Sequence, residues 1–405
     1  MHTKLPLVDV DPRSGEFYLN PYPSYARWHR EHPRFYWRVY GCVCFASYAD
    51  VDGLLRDRRF ARVAPASPEA GCPVAKAHLQ NFEQVEAFSL LNLEPPRHTQ
   101  LRQLINKAFV SSKVEKMRDE IEQIATELID QLPTTGEIDL LQDYLMPLPA
   151  IVIARLLGVP QAQVPQLLAW SHAMVKVYTL TQSHADDLAA NQAAKEFSDY
   201  LQELITQKRK SPSPDLLSHL LSVEIEGRSL SDAEIISTAV LLLNAGHEAT
   251  VHQTGNAIKT ILQHEIDPRA HFQSPQSVAA FVEEALRFDA PLHLFKRFAL
   301  ERVVFDDGLV VEAGEEVALL FGAANRDPAR FSEPDRFNPS RDDAGHVSFG
   351  AGLHFCLGAP LARLEMQISL SLLFKRLPSL ALASPPAYAD SFHFHGLQAL
   401  RVRVA

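Results

Sequence analysis

The segment SDAEIISTAVLLLNAGHEATVHQTGNAIKTILQH, Ser231 to His264, reads as one continuous helix. Its start is marked by Ser231 and Glu234, which stand in capping-box spacing. At 1.5 Å per residue it spans roughly 50 Å, long enough to cross the whole molecule. A chain of 405 residues with such an element must pack its other parts around it. The middle of the helix is odd for a core position. An apolar run is interrupted by Gly246, His247 and Glu248, and buried charge is costly unless it is paired or used.

The rest of the chain reads as mostly helical. Residues 24–58 mix a short helical pattern with the alternating run FYWRVYGCVCFASY, a hairpin pattern. Residues 61–80 form a loop rich in Pro, Ala and Gly. From Arg97 to about Ile205 the periodicity is helical, with breaks at Pro133 and near Pro160. KSPSPD, Lys210 to Asp215, is a surface connector. A second helix ends in VEEALRFDAP, and short alternating runs with Gly turns follow Pro291. An apolar helix then runs from Pro360 to about Leu377, and GLQALRVRVA closes the chain as a strand. The expected fold is mainly α with small antiparallel β-sheets, the β portion lying near 30–60 and 292–320 and at the C-terminus. The length exceeds one simple core, but no Pro/Gly linker separates independent cores. One large domain over residues 1–405 is expected.

A net charge of -10 argues against non-specific nucleic-acid binding. The N-terminal residues contain no apolar run of signal or anchor length, so a soluble, cytoplasmic protein is expected. The four cysteines are Cys42, Cys44, Cys72 and Cys356. Cys42 and Cys44 are too close in sequence for an ordinary mutual disulfide. No CxxC pair exists to support a zinc ribbon, and the low count fits a reducing compartment.

Cys356 sits in the stretch FGAGLHFCLGAPLAR. A lone cysteine is commonly a small apolar core residue. Here Gly350, Gly352 and Gly358 let the backbone turn tightly and approach a flat ligand. Pro360 marks the first turn of the following helix, whose N-terminal dipole and free N–H groups favour a thiolate. With no second Cys or His at zinc spacing, the natural partner is a large cofactor that supplies its own other ligands, and haem does so.

This loop resembles that of the cytochrome P450 family, Phe-x-x-Gly-x-x-x-Cys-x-Gly, met by Phe349, Gly352, Cys356 and Gly358. The resemblance covers most of the chain. EALR matches the family's Glu-x-x-Arg helix as Glu284 and Arg287, one helical turn apart. Arg336, in PDRFNP, matches the later arginine that joins this pair, and AANRDP is similar to soluble bacterial members. EPPRHTQLR resembles the propionate-binding segment, with His98 and Arg102 at i and i+4. Arg297 and His354 match two further propionate ligands, with Lys296 the competitor if the register slips by one. Taken singly, each is an ordinary surface cation. Together they suit two buried carboxylates. The resemblance implies haem b with Cys356 as axial thiolate, and haem contacts from Phe349, Gly350, Leu357, Gly358 and Ala245.

NAGHEATVH resembles the family's oxygen-activating pattern Ala-Gly-x-(Asp/Glu)-Thr, with Ala245, Gly246 and Glu248 in place. The acid is expected to relay protons. The threonine position is Ala249, a departure that removes a hydroxyl used in proton delivery. Thr250, about 100° further around the helix, a water held by Glu248 or His247, or a polar group on the substrate are the available substitutes. Water or substrate assistance is preferred. By the same resemblance the substrate pocket takes Leu243, Leu292, His293, Leu294, Phe392 and Phe394, along with residues 61–92 and 165–185, for a mid-sized, mostly apolar molecule.

The implied function is a monooxygenase that uses O2 and electrons from a separate ferredoxin or flavodoxin, working as a monomer. Arg102, Lys107, Lys113 and Arg363 are candidates for a basic docking patch. A haem-thiolate peroxygenase, suggested by Ala249, and a non-catalytic haem sensor are the alternatives.

Overall fold

The computed structural model describes residues 5–65, 77–109, 114–178 and 182–404. Cys72 and Lys113 lie outside the described residues. In chain order the longer helices are α1 (Tyr22–Glu31), α2 (Tyr48–Arg56), α3 (Arg97–Ala108), α4 (Arg118–Asp130) and α5 (Pro147–Leu157). Next come α6 (Val164–Val175), α7 (His184–Lys210), α8 (Asp232–Gln263), α9 (Pro275–Phe288) and α10 (Ala359–Arg376).

Helix α8 is the expected long element, and its 32 residues are capped as the sequence predicts. The Ser231 hydroxyl accepts from the Glu234 amide, and the Glu234 carboxylate accepts from the Ser231 amide at 3.0 Å. The helix packs against α5, α6, α7, α9 and α10. Burial on nearly all sides would strand its polar side chains, so its threonines bond back into the helix. Thr238 donates to Glu234 O at 2.7 Å, Thr254 to Thr250 O at 2.8 Å and Thr260 to Asn256 O at 2.8 Å.

The principal sheet is mixed, not antiparallel as expected. Its strands are β1 (Leu7–Val8), β2 (Arg34–Trp37), β3 (Cys42–Phe45), β4 (Phe60–Ala61), β6 (Phe295–Ala299) and β7 (Glu316–Leu319), in the order β1-β2-β3-β7-β6-β4. Strand β5 (Gly136–Asp139) belongs to a second sheet with β8 (Ala381–Leu382) and β9 (Arg401–Val404). The hairpin β2–β3 is antiparallel, pairing Trp37 with Cys42, but β3 runs parallel to β7, pairing Val43 with Val317. A hairpin pattern predicts only local antiparallel pairing, whereas the parallel neighbour comes from some 270 residues away. Strand β5 falls just after the break read at Pro133, where no strand was expected, and β9 pairs with it along its whole length.

Three apolar cores result. The largest wraps α8. The second lies under the principal sheet, around Val43, Phe45, Val317 and Phe321. The third is aromatic and joins Phe17, Tyr25, Trp28, Phe35, Trp37 and Phe392.

Ser231→Ala removes one half of the α8 capping box. It is expected to lower unfolding free energy by about 1 kcal/mol, read as a shift in urea midpoint at unchanged slope.

Candidate functional site

The loop before α10 is built on glycines. Gly350 and Gly352 have φ of 68° and 64°, the left-handed region that favours glycine. A β-carbon at Gly352 would collide with the Leu55 carbonyl oxygen of α2. The Cys356 amide donates to Phe349 O at 2.9 Å, closing the loop. Burial pushes the Cys356 thiol up, while amides of Gly358 and Ala359 that donate to its sulfur, and the nearby Arg102 and Arg363, pull it back. The start of α10 therefore aims its N–H groups at one sulfur. Cys42 and Cys44, by contrast, are free and buried in strand β3. Phe349, Gly350, Leu357 and Gly358 are partly accessible around this sulfur.

The segment leading into the loop is held by a buried carboxylate. Glu284 takes two bonds of 2.8 Å from Arg287, one of 2.8 Å from Arg341 and one of 2.7 Å from the Asn338 amide. Arg287 also donates to Asn325 O at 2.8 Å and Pro334 O at 2.9 Å. Asn325 in turn accepts from the Val347 amide at 2.9 Å. The expectation that Arg336 joins this pair is corrected. Its side chain is 67% exposed and pairs with Glu333. Only its carbonyl oxygen faces inward, toward Arg287 and Arg341. Arg341, with a side chain 4% exposed, is the third member.

A cationic cluster lies on the other side of the loop. His98 is fully buried and both its ring nitrogens lack partners. Burial holds its pKa down at about 4, so it is neutral. Its ring lies 4.4 Å from that of His354, whose Nε2 is 3.2 Å from Glu94. Arg297 is buried, among the described residues bonds only its neighbour's carbonyl oxygen at 2.8 Å, and has its pKa pushed down to about 10 by burial and by Arg62. Lys296 turns the other way and pairs with Glu316 at 2.6 Å. Arg102 donates to Phe355 O at 2.5 Å. Arg62 was not singled out from the sequence. Its amide donates to Glu94 at 2.6 Å and its guanidinium is buried enough to lower its pKa. An arginine directly after the apolar pair Phe60-Ala61 was the available signal.

Among the described residues, Arg62 and Arg297 lie near Glu94, Arg62 also lies near Glu86, and Arg102 lies near the Cys356 sulfur. Clustered guanidinium groups and the two unpartnered ring nitrogens of His98 fit a flat ligand carrying two carboxylates beside a sulfur. The set suited to hold haem is thus Cys356 with Arg62, His98, Arg102, Arg297 and His354.

Helix α8 carries an open face in its middle. Leu241, Leu242, Ala245, Glu248, Ala249 and His252 are accessible at helical spacing, while Leu243, His247, Thr250 and Val251 are buried. Ala245 is the most open of them. Among the described residues Glu248 has no hydrogen-bond donor, and burial raises its pKa to about 7. Leu243 is fully buried on the opposite face, which corrects its placement in the pocket. His247 is buried, bonds Met146 O at 3.0 Å and is held neutral, so it does not serve this face. Thr250 is buried off this face and its hydroxyl donates to Gly246 O at 2.9 Å, so it does not take the place of the hydroxyl missing at Ala249.

The predicted pocket wall divides. Leu292 and Phe394 form an isolated bridge and remain half-exposed. His293, Leu294 and Phe392 belong instead to the aromatic core. His293 is consumed by Tyr25 at 2.7 Å and Ala290 O at 3.0 Å, and Phe392 packs on Phe17 at 4.9 Å. The basic patch is weak: Arg363 is paired to Glu283 at 2.6 and 2.8 Å, and Lys107 donates to Glu224 O at 3.2 Å.

Arg341→Ala strips a partner from the buried Glu284 and is expected to cost about 3 kcal/mol. Arg336→Ala should stay within about 0.5 kcal/mol. Urea titration of both variants separates the two assignments.

The comparisons with known proteins agree with this geometry. Residues 73–380 match the family model described as Cytochrome P450. The chain is 38% identical over 366 residues to Cytochrome P450 107B1 of Saccharopolyspora erythraea, covering 88% of this chain and 87% of that one. It is 37% identical over 400 residues to the vitamin D(3) 25-hydroxylase of Pseudonocardia autotrophica, covering 96% and 95%. The structure of P450BioI in complex with an acyl carrier protein bearing hexadec-9Z-enoic acid superposes with a TM-score of 0.88 at 33% identity, covering 96% and 100%. A match over most of the chain, in sequence and in fold, places the protein in the cytochrome P450 family of haem-thiolate monooxygenases.

Proposed function

We propose that Cys356 is the axial ligand of haem b and that Arg62, His98, Arg102, Arg297 and His354 hold its propionates. The observation that carries this reading is the Cys356 sulfur, met by the Gly358 and Ala359 amides at the start of α10. Phe349, Gly350, Leu357, Gly358 and Ala245 contribute further contacts to the haem in this reading. Haem, when bound, supplies the activation of O2 with electrons from a redox partner. That relatives carry names such as hydroxylase and monooxygenase disfavours the sensor and peroxygenase alternatives.

Glu248 is the proton-handling group. Its side chain sits on the open face of α8, and a pKa near 7 lets it hold and release a proton at working pH. Ala249 offers no hydroxyl beside it and Thr250 is committed elsewhere. The proton therefore passes from the Glu248 carboxyl through water, or through a polar group on the substrate. Leu241, Leu242, Leu292 and Phe394 supply an apolar wall, which supports a mid-sized, mostly apolar substrate. Relatives crystallised with corticosterone and with a fatty acyl chain support the same size and polarity. The electron donor in this reading is a separate ferredoxin or flavodoxin, and the chain acts as one oxygenase unit and a monomer. No helix among the described residues is long and apolar enough to cross a membrane, and the free cysteines fit the cytoplasm.

Two measurements test this. Cys356→Ala is expected to abolish the thiolate-type Soret band of the reduced carbon monoxide complex, while Cys42→Ala and Cys44→Ala retain it. Glu248→Gln is expected to lower kcat by about 100-fold. A raised carboxyl pKa means the acid form persists to about pH 7 and is lost above it. The wild-type rate should fall above that pH, and the variant should lack that limb. By linkage, Glu248 also loses folding stability as pH rises from its ordinary range through 7, and the variant should not.

A further inference from the structure

His78, His184 and Asp187 meet at the start of α7, away from the cysteine loop. His78 lies in the short 3-10 turn Ala77–Leu79, just before the helix Gln80–Glu86. His184 and Asp187 are three residues apart on α7, on one helical face. The His78 Nε2 lies 2.9 Å from Asp187 Oδ2, and the two imidazole rings stand 4.7 Å apart at 71°. One ligand atom from each of the three residues lies within 4.8 Å of the others.

The arrangement has an inside and an outside. Asp187 is 5% exposed and forms the floor, His78 is half-buried, and His184 is exposed. The backbone beneath is fixed by the capping box of Ser183 and Asp186. Gln182 donates to the other Asp187 oxygen and orients the carboxylate. Two imidazoles and one carboxylate, open to water on one side, are a donor set for a zinc-class cation rather than for calcium or magnesium, which prefer all-oxygen shells. The other histidine–carboxylate cluster, Asp289, His293 and His395, is different. Asp289 is already neutralised by Lys259 at 2.6 Å and bonded by Tyr22 and Tyr388 at 2.6 Å each, and His293 is consumed.

We propose that His78, His184 and Asp187 bind a divalent transition cation of the zinc class, and that the cation fastens the helix Gln80–Glu86 to α7. The two segments already touch, since Asn191 Oδ1 accepts from the Asn81 amide at 2.7 Å and the Phe82 amide at 3.3 Å. The helix Gln80–Glu86 also packs on α8. A metal at this point would cross-link residues more than a hundred positions apart beside the central helix, independently of what the cysteine loop holds.

The test uses the haem-containing protein and Zn2+ as probe, with His184→Ala as the variant, because an exposed imidazole can be removed without disturbing the fold. Calorimetric titration is expected to show a micromolar or tighter site in the wild type that weakens by at least about tenfold in His184→Ala. Hydrogen–deuterium exchange is expected to show Zn2+-dependent protection of residues 77–86 and 182–191 in the wild type and none in the variant. Equal Zn2+ affinity in both proteins overturns the site. Tight, His184-dependent binding without protection of residues 77–86 overturns the fastening. The spectrum of Cys356→Ala reports on the haem reading separately, so failure of one is not failure of the other.

Discussion

Everything near the sulfur rests on burying one carboxylate with enough partners. Glu284 has a side chain 1% exposed, and leaving it unpaired there would cost several kcal/mol. Arg287 and Arg341 meet it from two sides, and the Asn338 amide completes its lone pairs. Because Arg287 also reaches the Asn325 and Pro334 carbonyl oxygens, the same charge pair fixes the irregular segment between β7 and α10. That segment has almost no regular secondary structure of its own. Its shape comes from side chains that satisfy its backbone carbonyl groups.

The parts legible in the sequence were those whose cause is local. The α8 capping box, the glycines of the cysteine loop and the proline in the first turn of α10 each act over a few residues, and each lies where the pattern put it. The mixed sheet was not legible, because the β3–β7 pairing depends on a partner far away. Arg336 and Arg341 illustrate the same limit. Both lie in the irregular segment after β7, a few residues apart, and only the path of that segment decides which side chain turns inward.

The pocket shows a second kind of limit. Leu243 and Leu242 are adjacent and alike in chemistry, yet one is fully buried and the other faces the open side of α8. The difference is a rotation of 100°, which sequence identity alone does not fix. His293 looked suited to meeting a ligand, but an aromatic core that needs Tyr25 bonded claims it first. Arg62 was hidden for the opposite reason: its neighbours are ordinary, and only the convergence with Arg297 and Glu94 gives it meaning.

The origins of the convergent residues have a consequence for how the molecule is made. Arg62, Glu94, His98 and Arg102 come from the first quarter of the chain, and Arg297, His354 and Cys356 from its last third. The strand nearest the C-terminus, β9, pairs with β5, which emerges from the ribosome far earlier. Contacts this distant in sequence form slowly, because closing the loops between them must precede any gain. A nascent chain thus holds its arginines and buried histidines for most of synthesis without the sulfur or the brace. The cradle is completed only once the later segments have been made, so loading a prosthetic group is a late event for this topology.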